Sequence, residues 1–223
     1  MIRLQHVSKV FGAGPSRVSA LSGISFHVAK GEFVVLTGAS GAGKTTLLRM
    51  LYRAETPSEG DIEVAGFDVT ELHRSEIPRL RRSIGIVFQD AKLLPGRTVY
   101  ENVAFVLRVL GTPRREITGR VFDALRAVGL SSRAQAYPTQ LSQGEAQRAA
   151  LARAIARKPL LLIADEPTGS LDEGMASEVL DIVKDIWAGG TTVLFATHQA
   201  ALAASLQRRT LTLQGGRLVK DEG

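Results

Sequence analysis

The sequence predicts an α/β fold, a mostly parallel sheet covered by helices and interrupted by a helical insert. Three observations carry that prediction. Short apolar runs of strand length alternate with segments of helical spacing. A glycine-rich loop joins one such strand to one such helix at residues 38–45. Between Ala91 and Ala150 the strand signal vanishes, and apolar residues recur at helical intervals instead. At 223 residues, 44% of them hydrophobic, the chain is long enough to bury one sizeable core.

Taken in order, residues 32–37 read as a buried strand and 44–52 as the helix that follows the glycine-rich loop. Residues 83–88, 160–164 and 191–196 read as further strands. Near-continuous apolar runs of this length are what a parallel sheet covered on both faces requires. In the insert, Ile117, Val121, Leu125 and Val128 share one helix face after the turn signal at Gly111 and Pro113. Residues 208–213 and 217–220 flank Gly215 and Gly216, the pattern of a closing hairpin. The expected organisation is one domain over 1–223, with 1–90 and 151–223 forming a core and 91–150 a helical subdomain.

Composition removes several classes of function. There is no cysteine, so disulfides, thiolate metal sites and thiol catalysis are excluded. The first eleven residues carry no apolar signal core, and the strongest apolar runs are too short to span a bilayer. Lys plus Arg is 28 against 22 for Asp plus Glu, a formal charge of +6. Much of the excess is arginine in residues 74–82, which suits a solvated helix face, because Glu71 and Glu76 lie beside it, or a surface facing anionic groups.

Gly38, Ala39, Ser40, Gly41, Ala42, Gly43, Lys44 and Thr45 fit G-x-x-x-x-G-K-[ST] between a strand and a helix, followed by Thr46. Glycines let backbone N–H groups turn toward phosphate oxygens, and the helix N-terminus adds favourable partial charge. Lys44 is then expected on the β- and γ-phosphates and Thr45 on Mg²⁺. At the end of the 160–164 strand stand Asp165 and Glu166, where ligands of open α/β sheets bind. Adjacent carboxylates divide the work: Asp165 holds the metal, and Glu166 orients and deprotonates the attacking water. A competing role for Glu166 is to cap a helix near Pro167.

Leu141, Ser142, Gln143, Gly144 and Glu145 precede a helix running through Ile155, with Ser142 and Glu145 spaced as a capping box. On these residues the chain resembles the ABC ATPase family, whose signature reads LSGG followed by Gln or Glu; Gln143 stands where the first glycine usually sits. The resemblance implies a P-loop NTPase (RecA-like) core, an N-terminal antiparallel β region and a head-to-tail homodimer formed on ATP binding. It also implies a nucleotide site that uses Ser142 and Gly144 from the opposite copy. Further matches are Gln89 as the metal-sensing glutamine, Ser170-Leu171-Asp172 as the D-loop, His198 as the switch histidine and Phe11 as the aromatic on adenine. The implied catalytic set is Lys44, Glu166 and His198, the metal set Thr45, Gln89 and Asp165, and the cofactors ATP and Mg²⁺.

Residues 87–104, VFQDAKLLPGRTVYENVA, are similar to the cell-division branch of that family. That likeness implies an integral membrane partner of the FtsX kind, through which ATP hydrolysis controls cell-wall hydrolases from the cytoplasmic face of the membrane. ATPases of lipoprotein-release and macrolide-export transporters share most of these motifs and form the alternative. The segment after Gln89 is expected to form a groove for a short helix of the partner, with Leu93, Leu94, Val99, Tyr100, Val103 and Phe105 as apolar anchors or as packing of the insert. A GTPase would need an Asn-Lys-x-Asp element, and Asn102 is the only asparagine. No nucleic-acid partner is expected, since there is no room for long coiled coils and no cysteine for zinc.

Overall fold

The structure, a computed structural model, describes Met1–Gly223 apart from the side chain of Pro15. Two sheets form its frame. A four-stranded antiparallel sheet has the order β2-β1-β4-β5, from Ile2–Phe11 (β1), Val18–Val28 (β2), Glu59–Val64 (β4) and Phe67–Asp68 (β5). A six-stranded sheet has the order β10-β9-β3-β8-β7-β6. Its strands are Phe33–Thr37 (β3), Ile84–Val87 (β6), Leu161–Asp165 (β7), Thr192–Thr197 (β8), Arg209–Gln214 (β9) and Arg217–Glu222 (β10). All its pairings are parallel except β9 with β10. That last pair is the expected hairpin, closed by Gly215 and Gly216.

The six-stranded sheet is covered on both faces, and the strand period of two assigns each residue to one of them. In β3, Phe33 and Val35 join a core with helices Val99–Val109 (α3), Arg114–Ala127 (α4), Gln143–Ile155 (α5) and Glu173–Ala188 (α6). Val34 and Leu36 join a second core with helix Lys44–Leu51 (α1) and the antiparallel sheet. The alternation repeats in β7 and β8, which explains why these strands read as unbroken apolar runs. Helices Ile77–Arg82 (α2) and Ala200–Ser205 (α7) complete the order.

Helix α5 runs to Ile155, as its spacing predicts, carried by a buried stripe of Ala149, Ala150, Leu151 and Ala152. One alternative fails. No helix begins at Pro167; the chain turns there, and α6 starts six residues later under an Asp172 cap whose Oδ1 accepts from the Met175 N–H at 2.8 Å.

Candidate functional site

The phosphate-binding motif sits where β3 ends and α1 begins, and steric necessity fixes its two outer glycines. Gly38 has φ 149°, and a Cβ there would lie 2.3 Å from the Leu213 carbonyl oxygen of β9. Gly43 has φ 105° as the cap of α1, and a Cβ would meet the Ala20 carbonyl at 2.8 Å. The cleft beside this loop holds about 320 Å³ and is lined by Ala20, Ser40, Gly41, Gly43, Lys44, Thr45, Thr46, Gln89, Glu166 and His198.

Lys44 is only 6% exposed. Its Nζ donates to the carbonyls of Gly38 at 2.7 Å and Ala39 at 3.2 Å, and stands 3.3 Å from Glu166 Oε1. The other Glu166 oxygen accepts from His198 twice, from its backbone N–H at 3.1 Å and from Nδ1 at 2.8 Å. Because an ionised carboxylate can only accept, this bond places a proton on His198 Nδ1. Glu166 itself adopts the left-handed conformation, φ 52°, an uncommon state for a residue with a side chain, and its N–H donates to the Ala196 carbonyl at 3.0 Å. The neighbouring strands β3, β8 and β7 therefore bring the predicted lysine, histidine and base at their C-terminal ends into one chain of contacts.

Asp165 lies one residue earlier, half-buried at the end of β7, where Oδ1 accepts from the Thr45 hydroxyl at 3.4 Å. Burial pushes its carboxyl pKa up, against the opposing pull of that hydroxyl. Thr45 and Gln89 also line a second cleft of about 420 Å³, together with Arg49, Tyr52, Phe88 and Asp165. The chemistry of this donor set fits Mg²⁺, which is bound by few protein oxygens and completed by phosphate oxygens and water.

The remaining candidates are placed elsewhere. Ser142 is exposed at the N-terminus of α5, its Oγ accepting from the Glu145 N–H at 3.1 Å while Glu145 Oε2 accepts from the Ser142 N–H at 2.9 Å. That bond, reinforced by Arg133, holds the Glu145 carboxyl below its ordinary pKa. Gly144 is buried, with Met175 filling the space a side chain would need. Ser142, Gly144 and Asp172 are not part of the lining of their own chain's cleft. Neither is Phe11, which is 39% exposed and carries the Lys9 ammonium 4.7 Å from its ring centre.

Some functional positions escaped the sequence. Ala20 lines the cleft from β2. Two residues of α5 hold the chain on either side of Gln89: Gln147 donates to the Phe88 carbonyl at 2.9 Å, and Arg153 to those of Ala91 and Lys92 at 2.8 and 2.7 Å. Asn102, fully buried, accepts from the Leu94 N–H and donates to the carbonyls of Leu94, Arg97 and Thr98. Of the residues read as anchors or as packing of the insert, Val99 and Val103 take the packing role, fully buried in the helical core against α4 and α5.

A family model described as ABC transporter matches residues 21–169. The chain is 47% identical over 222 residues to the cell division ATP-binding protein FtsE of Mycobacterium tuberculosis, covering 100% of this chain and 96% of that protein. It is 47% identical over 218 residues to FtsE of Escherichia coli K12, covering 98% and 97% of the two chains. Among solved structures it superposes on a dimeric bacterial ABC transporter cassette, MJ0796, with TM-score 0.91 and 32% identity over 100% of this chain and 98% of that one. The same cassette bound to ADP and Pi in a post-hydrolysis state matches with TM-score 0.90.

Proposed function

The chain belongs to the ABC transporter ATPase family and is an ATPase; on that premise we propose that it is the hydrolysing subunit of an FtsE-like complex acting in cell division with an integral membrane partner of the FtsX kind. The observation that carries the catalytic part is the Glu166 carboxylate, held between Lys44 Nζ at 3.3 Å and His198 Nδ1 at 2.8 Å at the mouth of the phosphate-loop cleft. The cell-division part rests on 44–47% identity across essentially the whole chain to proteins of that name.

In this reading the loop N–H groups and Lys44 bind the β- and γ-phosphates of ATP, and charge neutralisation by a buried ammonium lowers the barrier to transfer. Mg²⁺, held by Thr45 and Asp165 with Gln89 beside them, supplies further neutralisation of the phosphate oxygens when bound. Glu166 orients a water and accepts its proton, and His198 keeps the carboxylate pointed. Phe11 stacks on adenine from the end of β1, with Lys9 over its ring. Ser142 and Gly144 present the α5 N-terminus of one copy to the γ-phosphate of the other, beside Asp172. A head-to-tail homodimer is what their distance from their own cleft calls for, and the MJ0796 relative is dimeric.

No helix among the described residues is long and apolar enough to cross a membrane. The likeness to FtsE is what supports the reading that the protein works from the cytoplasmic face, peripheral to the membrane, through a groove after Gln89 between the helical subdomain at 91–150 and the core at 1–90 and 151–223. The test is fractionation of cells with and without the gene for the FtsX-like subunit. The ATPase is expected in the membrane fraction only when that subunit is present; persistence at the membrane in its absence would transfer the role to direct lipid binding.

A further inference from the structure

We propose that the groove beside the Gln89 segment is a carboxylate-reading surface, built from Arg81, Arg82, Arg153 and Arg157, that docks an acidic cytoplasmic segment of the membrane partner. The inference rests on the membrane-partner reading above and adds the chemistry of the contact. The four arginines come from two separate stretches, Arg81 and Arg82 from the end of α2, Arg153 from the last turn of α5 and Arg157 just beyond it, and line one cleft of about 190 Å³. No Asp or Glu lines it. None of the ion pairs among the described residues uses any of the four guanidiniums.

Like charges gathered in a concave surface repel one another and focus a positive potential outward. Three of the forks are also fixed in place by backbone carbonyls. Arg81 donates to those of Tyr52 and Arg53, Arg153 to those of Ala91 and Lys92, and Arg157 to that of Leu110. Immobilised guanidiniums with N–H groups to spare are pre-organised for bidentate carboxylate recognition, so little side-chain entropy is lost on binding. Burial also lowers the Arg153 pKa, a cost that an arriving anion offsets. Ile84, Ile86, Val106, Leu110 and Pro159 are among the apolar residues that line the rest of the cleft. That apolar flank suits a peptide with carboxylates set among methylenes better than a lone phosphate or a lipid headgroup. Because Arg153 grips Ala91 and Lys92, an occupant here acts directly on the segment that begins at Gln89.

The experiment is co-purification of the full chain with its FtsX-like subunit from detergent-solubilised membranes, at low and high salt. The probes are the double variant Arg82→Glu/Arg157→Glu and the charge-keeping Arg82→Lys/Arg157→Lys. Vesicles of phosphatidylglycerol are tested in parallel, and basal ATP turnover of each purified variant reports folding. The reversed variant should retain basal turnover and recover at least about tenfold less membrane subunit, with the lysine variant intermediate and more salt-sensitive. Full recovery of the subunit by the reversed variant overturns the arginine surface while leaving the partner reading intact. If wild-type protein fails to recover the subunit, the partner reading falls and the inference falls with it. Loss of vesicle binding with the complex intact would assign the cleft to lipid and also overturn it.

Discussion

The Lys44 ammonium satisfies two loop carbonyls and faces Glu166 from a position only 6% exposed, so it neutralises charge in a site that water reaches poorly. Lys44→Ala should therefore abolish both ATP binding and hydrolysis, measured by nucleotide titration and phosphate release; retained affinity would contradict the phosphate-loop assignment. Asp165 behaves differently. Burial raises its pKa, so the folded state holds the proton more tightly than the unfolded chain does. Its favourable contribution is complete below the ordinary carboxylate range and is lost as pH rises through the raised folded value. At neutral pH, without nucleotide or Mg²⁺, Asp165→Asn should raise the Tm while stopping Mg²⁺-dependent turnover. A lower Tm in that variant would contradict the desolvation argument.

At the scale of elements, the loop between β6 and α3 is organised by one side chain. Asn102 supplies both its acceptor and its amide donors to Leu94, Arg97 and Thr98, and Thr98 in turn caps α3 in a box with Glu101. Asn102→Leu leaves buried backbone groups unpaired, at a cost of about 1–3 kcal/mol, which a lowered urea midpoint would register. An unchanged midpoint would mean that water replaces the amide. The elements themselves were legible in sequence, since β3, β7 and β8 are continuous apolar runs, and the capping pair Ser142 and Glu145 announced the start of α5. Whether Val99 and Val103 were anchors or packing stayed open in sequence, because apolar spacing marks a buried face without saying which neighbour covers it. Gln147 and Arg153 were missed for a related reason: their partners are carbonyls about sixty residues away, with no side-chain signature to match.

For the whole molecule, the motifs in sequence cover the part of the site that one chain brings together, and the proposal assigns Ser142 and Gly144 to the site of a second copy. Glu166→Gln should preserve ATP binding but stop water activation, so that ATP-bound dimers accumulate, association being linked to nucleotide retention. Adding Ser142→Arg puts bulk and charge where the opposing γ-phosphate sits and should return the protein to monomers that still bind ATP through Lys44. Sizing chromatography with MgATP separates these outcomes. A monomeric Glu166→Gln protein at saturating ATP would count against the sandwich, and a double variant that still dimerised would remove Ser142 from it.

The close approach of Gly38 to the Leu213 carbonyl bears on how the protein is made. Strand β3 takes β9 as a parallel neighbour, so the start of the phosphate loop is buttressed by chain that is translated long after the loop itself and after every residue assigned to ATP chemistry. Pairings of such long sequence separation form late. A nascent chain that has already displayed Lys44, Asp165, Glu166 and His198 outside the ribosome still lacks the strand that shapes the loop. Capture of nucleotide is therefore expected to wait for Leu213, and a chain truncated before Arg209 should fail to bind ATP in a nucleotide titration.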